Sequence, residues 1–266
     1  MKALHLLVSI VVYELDKPTL DQCLRSLESS IAHCIKANKL SAWSLTIVDN
    51  GKNGQWLNTF VAENIRIIEN QQNVGYGVGH NQAIIGSTSE FHLILNPDVT
   101  VDLSYVSRTI ELLTNNTDVV LAGPCGKTAD GTDAHLCKRY PSLLVLFVRG
   151  LRQEWVNSFF RRKLAQYEYH DLLDSEPSNV ALVSGCCMFA RTQALQDVGG
   201  FDEHFFLYFE DFDLSLKMGK KGRVVFLPTA NIIHLGGNSA AKGLHHIKLF
   251  VQSAARFFHK YGWKIV

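Results

Sequence analysis

The sequence predicts an α/β protein: one Rossmann-like domain with a mostly parallel central sheet flanked by helices. Three observations carry this. Short apolar, β-branched runs recur along the first 120 or so residues. Segments with apolar residues at three-to-four spacing lie between them, which is the pattern of helices that cross over a parallel sheet. Several of the strand-like runs end on Asp and Asn turns, at the rim where open α/β sheets hold ligands.

Leu4–Tyr13 reads as a buried first strand. Pro18-Thr19 opens a helix in which Leu20, Cys23, Leu24, Leu27 and Ile31 recur at helical spacing. Leu45–Val48 is a second strand ending at Asp49-Asn50-Gly51, and Trp56, Leu57, Phe60 and Val61 suggest another helix. Ile65–Glu69 is a short strand, followed by Asn70–Asn73 and a glycine-rich loop, with Gln82–Ser87 closing a helix. Phe91–Leu95 is a strand that runs into Asn96-Pro97-Asp98; Val106–Leu113 is helical and Val119–Ala122 strand-like. Val180–Phe189 reads as a strand interrupted by Ser184-Gly185, and Val224–Leu227 as a short strand stopped by Pro228. His234 falls in a loop, and Ile247–Phe258 is an amphipathic final helix.

Composition narrows the function classes. The chain has 266 residues, 47% hydrophobic and 19% charged, with a formal net charge of +1. That is a folded protein with no global field for nucleic acid, so no nucleic-acid partner is expected. The six cysteines form no CxxC pair, which fits neither a zinc site nor a disulfide framework and favours free thiols. The N-terminal MKALHLLVSIVVYELDKP has too short an apolar run for a secretion signal and flows into the first strand. A cytoplasmic location is the expectation, with a peripheral position on the inner face of the plasma membrane as its extension.

Five constellations could carry chemistry. Asp49-Asn50-Gly51 reads first as a turn; its alternative is a carboxylate reading a nucleobase imide. Asn73–Asn81, with glycines at 75, 77 and 79, is either a plain loop or a lip over a nucleoside diphosphate. Asn96-Pro97-Asp98 aims a carboxylate out of a strand end, where a hard divalent cation could bind through oxygen. Glu210, Asp211 and Asp213 sit among aromatics; such surroundings raise a carboxylate's pKa and suit a general base, for which Asp211 is the better candidate, while Asp213 reads as the cap of a helix starting near Leu214. His234, before Gly236-Gly237, could complete a metal site.

In chain order, the stretches VSIVVYE, TIVDNG, NQQNVGYGVGHNQAI, LILNPDV, VSGCCMFARTQALQDVGGFDEHFFLYFEDFDLSLKMGKKG and IIHLGG resemble the inverting GT-A glycosyltransferases of family 2, most of all their bacterial rhamnosyltransferase-like branch. The resemblance spans about residues 6–240. It implies a GT-A domain over 1–240, with a nucleotide-binding half at 1–122 and an acceptor and catalytic half at 123–240, and a C-terminal helical tail at 241–266. It implies that Val12, Tyr13 and Glu14 line the nucleoside and that Asp49 reads the pyrimidine. Asn73, Gly75 and Asn81 would close over ribose and diphosphate, and Gly185 would form a wall near the sugar together with Ser184 and Cys186. Asp98 and His234 would hold Mg²⁺ or Mn²⁺, with Asn96 replacing the first acid of the family's D-x-D element. Glu210 and Asp211 match the acidic pair that includes the base.

The activity so implied is inverting transfer of a sugar, foremost L-rhamnose from dTDP-rhamnose, to a hydroxyl of a bacterial cell-surface glycan or a polyprenyl-diphosphate-linked acceptor, as in lipopolysaccharide or cell-wall polysaccharide synthesis. The alternatives are a UDP-sugar donor (galactosyl or N-acetylglucosaminyl) on the same fold, and a non-catalytic sugar-nucleotide-binding scaffold. Residues 149–163 mix Arg149, Arg152, Arg161, Arg162 and Lys163 with Trp155, Phe159 and Phe160. A solvated helix packing one face on the core is the favoured reading there, and peripheral membrane contact is the runner-up.

Overall fold

The computed structural model describes residues 3–151, 153–172, 176–236 and 243–266. Arg152, Gly237 and the start of the C-terminal tail, all singled out in the sequence, lie outside the described residues.

The first half alternates as predicted. β1 (His5–Val12) is followed by α1 (Lys17–Lys36), β2 (Ala42–Asp49), a 3₁₀ turn (Gln55–Phe60), β3 (Ile65–Glu69), α2 (Tyr76–Ile84), β4 (Phe91–Leu95), β5 (Val99–Val101), α3 (Tyr105–Asn115) and β6 (Val119–Thr128). The start of α1 shows how locally this is determined. Asp16 accepts the Thr19 N–H at 2.9 Å, Pro18 occupies the first turn, and Leu20, Cys23, Leu24, Leu27 and Ile31 are buried. The second half is less regular. It runs β7 (Cys137–Lys138), α4 (Leu143–Leu151), α5 (Glu154–Phe159), α6 (Arg161–Tyr167), β8 (Ser178–Asn179), β9 (Leu182–Val183), β10 (Cys187–Arg191), α7 (Thr192–Asp197), α8 (Glu210–Met218), β11 (Arg223–His234) and α9 (Leu244–Tyr261).

One sheet runs through both halves in the order β3-β2-β1-β4-β10-β6-β11-β5, with β8 beside β11. The four strands β3, β2, β1 and β4 are parallel, as are β6 and β11, whereas β10 and β5 run antiparallel to their neighbours. Period-two alternation divides the core between the faces. Leu93, Leu95, Cys187 and Phe189 pack with α1 and α3, while Ile94, Met188 and Ala190 pack with Leu195, Leu214 and Met218 on the other side. A third cluster, Phe205, Phe209, Phe257 and Phe258, seats α9 on the 205–209 segment.

The departures from the sequence reading have physical reasons. The glycine segment is not a loop: Tyr76–Ile84 is helical, and Cβ atoms at Gly77 and Gly79 would press on Phe201 and Val11. Close packing outweighs poor helix propensity there. β11 continues through Pro228 to His234, because a register shift between Leu227 and Asn231 places the proline where no ladder N–H is needed. α8 starts at Glu210, so Asp213 lies inside its first turn rather than capping a helix at Leu214. Residues 55–60 form a 3₁₀ turn, not an α-helix. All six cysteines are free, as expected.

Candidate active site

The turn at Asn96-Pro97-Asp98 lies where the chain leaves the parallel part of the sheet. β4 ends beside β10, and β5 then pairs antiparallel with β11 at the sheet's far edge, with Val99 opposite His234. The pairing brings Asp98 against His234: Asp98 Oδ1 and His234 Nε2 face each other at 3.3 Å. Both atoms are buried and neither has a hydrogen-bond partner. The Leu235 N–H donates to the Asp98 carbonyl at 2.8 Å, and any side chain at Gly236 would collide with Asp98 Oδ2. A hard oxygen and an imidazole nitrogen, close together and otherwise unpartnered, fit the donor set for Mg²⁺ or Mn²⁺.

A second turn, Ser184–Cys187, joins this pair to the acids of α8. The Cys186 carbonyl accepts the Asn96 N–H at 2.8 Å, and the Gly185 N–H donates to Asp211 Oδ2 at 2.8 Å. Asp98 and Asp211 therefore flank the same four residues. Burial pushes the Cys186 thiol up to about 12, opposed by a Ser184 hydrogen bond and aided by the nearby Asp98 and Asp211 charges. Asp211 also accepts the Phe212 N–H at 2.9 Å and sits in the first turn of α8, where a negative charge is favoured.

The two neighbouring acids are unequal. Glu210 is buried, its Oε2 has no partner, and burial followed by the Asp211 charge raises its pKa well above the usual range. Burial raises Asp211 too, but its two backbone N–H donors oppose the shift. Glu210 is the more strongly raised of the two, because its Oε2 has no donor while Asp211 has two backbone N–H groups. An ionised carboxylate with a raised pKa, part-open to solvent, is equipped to take a proton from a hydroxyl.

The residues at the ends of β1 and β2 are built differently. Val12 and Asp49 are paired in register, and the Val12 side chain is fully buried. Asp49 Oδ1 accepts from the Gly51 N–H and Asn53 Nδ2 at 2.9 and 2.7 Å, and Oδ2 accepts from the Asn53 N–H at 2.9 Å. These bonds leave one acceptor position on Oδ2. Tyr13 is exposed, and Glu14 adopts a left-handed backbone with φ of 47°. Asn73 Oδ1 accepts the Gly75 N–H at 2.9 Å, and Gly75 has φ of 91° with its α-carbon against the Phe206 carbonyl. Asn81 is engaged within the fold: its Oδ1 accepts the Phe201 N–H at 2.8 Å, and its Nδ2 donates to the Phe201 carbonyl at 2.9 Å and to Glu203 at 3.4 Å, tying α2 to the segment before α8.

Two further residues matter to which the sequence reading gave no role of their own. The Tyr76 hydroxyl donates to the Gly185 carbonyl at 2.5 Å, bracing the turn that holds Asp211. Asn50 donates to the Gly75 carbonyl at 3.0 Å and accepts from Asn70 at 2.9 Å, locking the glycine segment to β2. Tyr76 is a lone aromatic among glycines, and nothing in the linear sequence pairs it with Gly185. A separate cluster, His135, Glu168 and His170, also groups metal-type ligands. There the imidazoles stack at 4.0 Å, and Glu168 already faces Lys138 at 3.1 Å and Arg149 at 3.6 Å, so two cations hold the place of an ion.

The sequence model of glycosyl transferase family 2 matches residues 8–199, most of the chain. The chain belongs to that family. The glycosyltransferase is similar to N-acetylglucosaminyl-diphospho-decaprenol L-rhamnosyltransferase of Mycobacterium tuberculosis, in both the CDC 1551 / Oshkosh and the ATCC 25618 / H37Rv strains. The identity is 26% over 242 residues, covering 83% of this chain and 77% of the relative. Among solved structures it is similar to GalNAc-T7 with UDP, GalNAc and Mn²⁺, at a TM-score of 0.66 and 12% identity, over 96% of this chain and 48% of that one. The glycosyltransferase thus spans about half the length of GalNAc-T7. It is also similar to residues 1–349 of S. aureus TarS, at a TM-score of 0.59 and 14% identity, over 96% of this chain and 72% of that one. These likenesses establish the GT-A fold, a mixed α/β domain with a mostly parallel sheet between helices. No helix among the described residues is long and apolar enough to cross a membrane.

Proposed function

We propose that the enzyme transfers L-rhamnose from dTDP-rhamnose, with inversion, to a hydroxyl of a polyprenyl-diphosphate-linked bacterial glycan. The observation that carries a catalytic rather than a merely binding role is the placement of Asp98 and Asp211 on opposite flanks of the Ser184–Cys187 turn, one beside an unpartnered histidine nitrogen and the other poised to accept a proton. A sugar-nucleotide scaffold needs no base. The activity for which the mycobacterial relatives are named supports the choice of sugar and of acceptor class.

Asp98 and His234 would hold Mg²⁺ or Mn²⁺, which when bound neutralises charge growing on the departing nucleoside diphosphate. Asp211 takes the proton from the acceptor hydroxyl as that oxygen attacks the anomeric carbon from the face opposite the leaving group. The new bond forms as the old one breaks, so the configuration inverts and no cysteine takes part. Glu210, whose burial favours the protonated form, keeps a second negative charge out of the pocket. Tyr76 and Gly185 hold Asp211 in place, and Tyr13, Glu14, Asp49, Asn73 and Gly75 surround the nucleoside end.

The test is a donor screen on the whole chain, scoring metal-dependent transfer from dTDP-rhamnose and from UDP-sugars to a synthetic prenyl-diphosphate-linked acceptor. Asp49 can meet only the imide edge that thymine and uracil share, so both donor classes belong in it. Transfer from dTDP-rhamnose is expected. Transfer from UDP-sugars alone would overturn the donor, and nucleotide binding without any transfer would overturn the catalytic reading.

A further inference from the structure

α4 is apolar around nearly its whole circumference. Val145 and Val148 are buried, and Leu146 packs against the Phe205–Phe257 cluster. The opposite side, Leu143, Phe147 and Leu151 at four-residue spacing, faces solvent. A surface helix ordinarily turns charge outward, whereas Arg149 is the one charged residue of this helix. α5 continues the surface with Trp155 at 75% exposure and Phe159 at 82%. The C-terminal residues join it. The Leu143 and Leu144 N–H groups donate to the Lys264 and Ile265 carbonyls at 2.8 and 3.1 Å, strapping the tail along the start of α4 with Trp263, Ile265 and Val266 exposed. Of the seventeen large apolar side chains exposed among the described residues, eight lie in these two segments, so this is a patch rather than ordinary scatter.

Its rim is basic. Residues 140–167 carry five cations against one acid in a chain whose formal net charge is +1. Arg161, Arg162 and Lys163, at the start of α6, are exposed and make no ion pair with any described residue. α6 ends in Tyr167, which is buried 5.5 Å below the Arg149 guanidinium.

We propose that this surface docks the enzyme on an anionic phospholipid bilayer, with Phe147, Leu151, Trp155, Phe159 and Trp263 entering the interface and Arg161, Arg162 and Lys163 meeting headgroup phosphates. Aromatic and aliphatic residues ringed by unpaired cations match the layered chemistry of that interface. The inference deepens the lipid-linked reading and rests on it for the purpose of docking, since an acceptor on a prenyl diphosphate lies at the membrane surface.

The test uses flotation of the full chain with vesicles of phosphatidylglycerol and phosphatidylethanolamine, against vesicles of phosphatidylcholine alone. The wild type is expected to float with the anionic vesicles, with Trp155 and Trp263 emission shifted to the blue and quenched by brominated lipid. Phe147→Ser/Trp155→Ser/Phe159→Ser should lose binding at least tenfold while keeping the wild-type melting temperature. Arg161→Glu/Arg162→Glu/Lys163→Glu should lose the preference for anionic lipid. No flotation of the wild type, unchanged flotation of both variants, or a dimer in sedimentation equilibrium that the serine variant dissolves would each overturn the proposal. Transfer to a short-chain, water-soluble acceptor separates the two readings. The serine variant should keep that activity; a wild type that floats but uses no prenyl-linked acceptor would leave the docking surface standing and remove the acceptor assignment.

Discussion

The two ends of the sheet's carboxyl rim are polar in opposite ways. At the β1–β2 end, Asp49 and Asn81 are almost wholly satisfied by neighbouring backbone. At the β4–β11 end, Asp98 Oδ1, His234 Nε2 and Glu210 Oε2 are buried with no hydrogen-bond partner. A native fold leaves few buried polar atoms unpaired, because each forfeits its hydration. Unpaired buried atoms also occur on His80, His92 and Asp213, which pack inside the fold, so it is the closeness of Asp98 to His234 that marks that end as one able to meet a ligand. Substitutions at the first end, the scaffold side, should cost stability, and at the second end activity.

Several substitutions can break that division. The largest effect is expected from Asp211→Asn, which should lower kcat by about 10²–10⁴-fold while nucleotide affinity by calorimetry stays near wild type. Transfer near the wild-type rate would remove Asp211 as base. Asp98→Ala should next weaken Mg²⁺-dependent nucleotide binding by about tenfold or more and make the residual affinity insensitive to EDTA. Equal loss of affinity with and without Mg²⁺ would place Asp98 on the scaffold side.

The scaffold side has its own tests. Asp213 is fully buried and meets Lys260 at 2.6 Å, Tyr261 at 2.8 Å and Lys217 at 3.3 Å, holding α9 to α8. Asp213→Ala strands part of that network and should cost about 3 kcal/mol in urea denaturation, the low end for breaking a buried pair because Lys260 keeps Asp202 at 2.7 Å. Asn81→Ala should cost about 1–3 kcal/mol while leaving kcat of the folded fraction close to wild type. A large fall in kcat with no change in melting temperature would make Asn81 a ligand contact after all.

The smallest effect sharpens the comparison through pH. Glu210 has a folded-state pKa above its ordinary 4.5, so the native state binds more protons than the unfolded chain. Its contribution to stability is present below about 4.5 and is lost as pH rises through the folded value. Glu210→Gln should flatten that part of the stability–pH curve and raise the melting temperature slightly at pH 7 to 8. Asp211 is also raised above its ordinary 3.8, so the acid limb of the rate profile should lie above that value. A limb at or below it would contradict the buried setting of the base.

Much of the fold was readable because strand and helix periodicities are local. β3 and β4 fall where the sequence placed them, and α1 starts on an Asp-x-Pro-Thr signal that needs no tertiary partner. Asp98, Asp211 and His234 were legible as chemistry-bearing types beside strand ends and aromatics. Two other readings failed for tertiary reasons. Three glycines argued against helix at 75–79, yet Phe201 and Val11 press so closely on that segment that larger residues would not fit. The 149–163 segment was expected to be a solvated helix packing one face on the core, and it shows Trp155 and Phe159 to solvent. Apolar periodicity marks which residues share a face, but not how many faces find cover.

By itself, then, the sequence determined the alternation of elements, the strand-end acids, and the family to which the chain belongs, since each is written in neighbouring residues. Only the tertiary structure decided which polar groups remain unpaired. A hydrogen bond between Asn81 and Phe201, or the approach of His234 to Asp98, spans more than a hundred residues, and only the register of distant strands and helices can grant or withhold it.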